Sequence, residues 1–100
     1  MNARALGWES PCPSLHLPPV RDEHRALTWY GAARFGRVRV VAWTCHQHRV
    51  TFYELCEAGG LAFIRRTVDR DGGRAVSYSE AWSCRRAREM WSALMAGLVR

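Results

Sequence analysis

The residues best equipped for chemistry are cysteines and histidines. Cys45, His46, His48, Cys56 and Cys84, with Cys12 upstream, carry the thiol and imidazole groups that bind zinc. Spacing works against a single site built from the first four. On one extended strand, His48 and Cys56 would lie about 26 Å apart, at about 3.3 Å per residue. A site must therefore join Cys45 and His46 or His48 to Cys84, Cys12 or a second chain, and no CxxC pair anchors it. Cys45 beside His46 also suggests a nucleophile with its base, but adjacent strand residues point to opposite faces. The chain has no glycine-rich nucleotide loop, no GxSxG and no acid pair of recognisable spacing. The expectation is a non-enzymatic protein without metal or cofactor, whose cysteines serve as small buried hydrophobes.

Charge is the second chemical signature. The net charge is +6, and all 15 basic residues are arginine. A guanidinium makes planar, bidentate contacts with phosphate or carboxylate, so the excess points to an anionic partner. Coding bias of a GC-rich genome accounts for arginine in place of lysine, but not for the positive balance. Arg65, Arg66, Arg70 and Arg74 cluster on and after a predicted hairpin, and Arg85, Arg86 and Arg88 open a predicted helix. These seven are the candidate nucleic-acid-binding residues, and Trp43, Tyr53, Tyr78 and Trp82 could stack on bases if they face outward. Two facts compete with that reading. Glu54, Asp69 and Asp71 can engage the arginines, and so small a domain needs most of its aromatics inside. Arg65 and Arg66 are strand neighbours, so both cannot serve one flat surface.

The elements that would position these groups centre on residues 50–68. Two apolar runs flank Gly59 and Gly60, which tolerate the positive φ of a two-residue hairpin turn. That turn sets Ala58 opposite Leu61, Cys56 opposite Phe63 and Glu54 opposite Arg65. Phe52, Cys56, Leu61 and Phe63 then share one face, and Tyr53, Leu55, Ala62, Ile64 and Val68 the other. Residues 37–45 read as a strand, with Val38, Val40 and Ala42 on one face. Residues 69–73 read as a turn, and 75–82 as a last strand with Val76, Tyr78 and Trp82 on one side. Residues 22–35 are ambiguous: Asp22 could cap a helix ended by Gly36, but Leu27, Thr28, Trp29 and Tyr30 are strand-type, and a first strand turning at Phe35 and Gly36 is slightly favoured. Ser83 is a helix cap, and Cys84, Ala87, Trp91, Leu94 and Leu98 recur at helical spacing, with Met90 and Met95 widening the stripe. The predicted fold is α+β, an antiparallel meander of three or four strands closed by a C-terminal helix.

A single small domain over residues 22–100 is expected, preceded by a proline-rich segment over 1–21 expected to be disordered. Trp8 and Leu17 of that segment could instead dock as a strap. The chain begins without a signal-peptide core and has no membrane-length apolar run, so a cytoplasmic protein without membrane association is expected. One helix covers one sheet face, whereas the hairpin is apolar on both. A protein partner, a homodimer or the N-terminal segment must then cover the other face. Nothing in the chain identifies a small-molecule substrate.

The run FYELCEAGGLAFIRRT and the later AREMWSALMAGLVR resemble small accessory proteins of actinomycete conjugative plasmids and integrated elements, whose neighbours serve transfer, spread and replication. The resemblance covers residues 50–68 and 87–100. It implies an accessory or regulatory role in plasmid transfer or spread, and carries over no catalytic residue. The alternative is a nucleic-acid-binding module that grips a DNA or RNA backbone through its arginine clusters. A weaker likeness, in strand order only, is to helix-capped sheets that bind single-stranded nucleic acid.

Overall fold

The computed structural model describes residues 15–47 and 49–100. Five strands, β1 (Arg39–Trp43), β2 (Thr51–Ala58), β3 (Leu61–Arg70), β4 (Gly73–Tyr78) and β5 (Trp82–Ser83), precede one helix, α1 (Cys84–Met95). The sheet is antiparallel in the order β1-β2-β3-β4, and β5 pairs with the start of β3. The α+β meander closed by a C-terminal helix is therefore the observed fold.

The central hairpin forms for the anticipated reason. Gly59 and Gly60 adopt φ of +59° and +80°, and Glu54, Cys56 and Ala58 face Arg65, Phe63 and Leu61. The turn into β4 is tighter than residues 69–73 suggest. Asp69 and Arg70 extend β3, and only Asp71 and Gly72, the latter at φ +74°, make the bend.

Helix α1 covers the sheet face that carries Tyr53, Leu55, Ala62 and Ile64, meeting them with Ala87, Met90, Trp91 and Leu94. Ile64 and Leu94 are wholly buried, each contributing about 1.5–3 kcal/mol from apolar burial. Ser83 caps the helix, its hydroxyl accepting from the Arg86 N–H at 3.1 Å. The helix stops earlier than its apolar period predicts. Gly97 takes φ +77° and closes a Schellman motif, donating to the Leu94 carbonyl while Leu98 N–H donates to Ala93. Leu98 is thereby expelled to the surface, and Val99 is buried in its place.

Three further expectations are corrected. Residues 22–35 form neither strand nor helix; among the described residues their ladder pairing is limited to two isolated bridges, Tyr30 to Tyr78 and Arg25 to Val99. In β1 a bulge at Val41 breaks the alternation: Val40 faces Cys56, but Ala42 faces Leu55 on the helix-covered side. The last strand is interrupted because Ser79 turns inward. Its hydroxyl accepts the Ile64 N–H at 2.9 Å, and Trp82 then joins the helix-covered side, away from Tyr78.

The segment from Leu15 to Tyr30 is a strap. Leu17, Leu27 and Trp29 pack against the core, while Arg21 N–H bonds to the Gly97 carbonyl and Leu27 N–H to that of Arg100. The chain then passes the β4 edge and stacks Phe35 on Phe63, with ring centroids 5.6 Å apart, on the opposite sheet face. Trp8, Pro11, Cys12 and Pro13 lie outside the described residues.

Candidate nucleic-acid interface

Among the described residues, Phe35 shields the hairpin end of the second sheet face, stacked on Phe63. Across the rest, cross-strand pairing builds a single row: Trp43 faces Glu54, Glu54 faces Arg65, Arg65 faces Tyr78 and Tyr78 faces Tyr30. The bulge at Val41 brings Trp43 onto this face. With strands about 4.8 Å apart, the row spans roughly 19 Å. Phe52 stands one pair further along β2, opposite Thr67 and partly covered by the His46 ring at 5.6 Å. Trp43 and Tyr30 are each 51% exposed.

The structure separates the seven candidate arginines. Arg65 lies on the open face, its Nε donating to Glu54 Oε1 at 2.8 Å; that hydrogen bond raises its pKa above the ordinary value. Arg66 points to the other face, where it stacks over the Trp29 ring at 4.4 Å and donates to the Ser77 hydroxyl. Arg74 is exposed and pairs with Asp69 at 3.0 Å. Arg70, beside the β3–β4 turn, has no acidic partner among the described residues. Arg85, Arg86 and Arg88 lie on the exposed side of α1. Arg85 and Arg86 share Glu89, at 4.0 and 3.0 Å, and Arg88 shares Glu57 with Arg39, at 3.6 and 2.7 Å. The Arg39 hydrogen bond holds the Glu57 carboxyl below the usual carboxylate range. Among the described residues, six arginines thus draw on four carboxylates. The pairs exposed on both sides, Arg74 with Asp69 and Arg85 and Arg86 with Glu89, are held together weakly.

Of the four aromatics singled out from the sequence, Trp43 and Tyr78 occupy the open face. Tyr53 is buried under the helix, and its hydroxyl pKa is raised by that burial; Trp82 packs against the same core. Tyr30 and Phe52 complete the set. For Phe52 the strand alternation was a sufficient signal. For Tyr30 there was none, because its bridge to Tyr78 joins residues far apart in the chain.

Among the described residues, no three His, Cys, Asp or Glu side chains converge as a metal site, and His48 and Cys12 lie outside them. Cys45 and Cys56 are buried, and burial pushes the Cys56 thiol up to about 11. Cys84 Sγ lies 3.7 Å from the Gly60 carbonyl. No described helix is long and apolar enough to cross a membrane. No protein-family model matches the chain, and neither a curated protein nor a solved structure is significantly similar to it.

Proposed function

We propose that this chain is a small cytoplasmic binding protein that acts on nucleic acid without catalysing a reaction, as an accessory or regulatory protein of a conjugative mobile element. The observation that carries the nucleic-acid part is the charge arrangement. Two of the carboxylates that meet arginines are each shared between two of them, so even the paired surface stays positive. A phosphate can replace the solvent-exposed Glu89 carboxylate at these guanidinium groups with little loss. The mobile-element part rests on the resemblance carried by residues 50–68 and 87–100.

The test is binding to labelled single- and double-stranded DNA across a salt series. Each phosphate that an arginine neutralises releases condensed counterions, so affinity should fall steeply with salt. Replacing Arg85, Arg86 and Arg88 together by glutamine should flatten that slope by roughly one unit for each phosphate no longer neutralised. Stability should change by no more than about 0.5 kcal/mol, because all three side chains are exposed. Absence of binding at low salt overturns the reading and directs the search to a protein partner.

A further inference from the structure

Resting on that reading, we infer that the open sheet face is a binding site for single-stranded nucleic acid. In it, Trp43, Phe52, Tyr78 and Tyr30 stack on successive bases and Arg65 engages the phosphate backbone.

Two shallow concavities on this face share Tyr78 as their common wall. One, of about 300 Å³, is lined by Phe52, Arg65, Thr67, Arg74 and Val76. The other, of about 360 Å³, is lined by Tyr30, Ala32, Arg34 and Ser79. A ring between two hollows gives a base in either hollow an aromatic surface to stack on, and base–aromatic stacking tolerates any base. The first hollow holds Arg65 and Arg74 against the one carboxylate of Glu54, and the second holds Arg34 against Glu80.

Arg65 adds the charge complementarity. Glu54 engages only its Nε, and neither terminal nitrogen has a hydrogen-bond partner among the described residues. Those two nitrogens form a fork suited to a pair of phosphate oxygens. Its side chain is only 25% exposed, and the Glu54 bond holds it in place, so the fork is oriented before any ligand arrives.

The shape of the face selects single strands. The row of about 19 Å is wider than the roughly 12 Å major groove of a duplex, so the sheet cannot enter it. Stacking on Trp43 and Tyr30 also requires exposed base faces, which only unpaired strands present. A protein partner could use the same aromatics only by bringing a carboxylate of its own to the Arg65 fork, whereas every nucleotide of a single strand carries a phosphate.

The experiment is fluorescence anisotropy of a short labelled oligothymidylate, and of its duplex with oligodeoxyadenylate, titrated with wild type, Trp43→Ala and Tyr30→Ala. Both residues are half exposed, so the variants should keep the wild-type circular dichroism spectrum and melting temperature. Wild type should prefer the single strand, and each variant should bind it roughly 5- to 150-fold more weakly. The dependence of log affinity on log salt should stay unchanged, because neither substitution takes a charge from the phosphate backbone. Salt-dependent binding that both variants retain in full would overturn the sheet-face site while leaving nucleic-acid binding intact. Loss of all binding in the wild type would overturn both. A wild-type dimer that Trp43→Ala turns into a monomer in sedimentation would place a second copy on this face and also overturn the inference.

Discussion

Replacing Gly97 by alanine tests whether the helix end and the strap form one unit. Gly97 sits at φ +77°, where an L side chain costs about 1–2 kcal/mol. A Cβ there would lie 2.8 Å from the Pro19 carbonyl oxygen, so backbone must move. The strap would lift from the helix end, straining the bond from Arg21 N–H to the Gly97 carbonyl and that from Arg21 Nε to the Ala96 carbonyl. Each such bond contributes about 0.5–1.5 kcal/mol. The expected total is about 2–5 kcal/mol, read from the midpoint of urea unfolding. Gly31→Ala is the internal control. Nothing lies within 4 Å of its added Cβ and its φ is not positive, so it should be neutral or slightly stabilising, by up to about 1 kcal/mol. A Gly97→Ala protein within about 0.5 kcal/mol of wild type would refute the close approach of strap and helix.

Two further perturbations address the core. Trp91→Ala should cost about 3–5 kcal/mol in denaturant unfolding, since the indole is buried beneath the sheet; a loss below about 1 kcal/mol would put it at the surface. Alkaline stability should depend on Cys56, whose thiol burial raises from 9.0 to about 11. The folded state holds the proton more tightly, so this stabilisation is complete below pH about 9 and is lost as pH rises towards about 11. The loss should be on the order of 2 kcal/mol, and Cys56→Ala should unfold with a correspondingly shallower alkaline slope. Identical slopes for the two proteins would show that the thiol titrates normally.

The hairpin was legible because its signals are local. Gly59 and Gly60 dictate the turn, the turn dictates the register, and period two dictates that Glu54 meets Arg65. The helix start was legible for the same reason, through Ser83 and the stripe from Ala87 to Leu94. The arginine clusters were visible in the chain, but their distribution was not. Nothing local to Arg66 shows that Trp29, 37 positions away, lies beneath its guanidinium.

Composition and periodicity by themselves determined an α+β meander with one covering helix, a positive surface and a second apolar sheet face, because these follow from side-chain spacing and formal charge. Only the tertiary structure decided how far that second face is covered. The bulge at Val41 brought Trp43 onto it, the inward turn of Ser79 took Trp82 off it, the strap delivered Tyr30 to its β4 edge, and the chain after the strap set Phe35 over its hairpin end. Each of these placements depends on a hydrogen bond or ring contact between distant segments. Such contacts form only after the chain has collapsed, and no residue's own propensity encodes them.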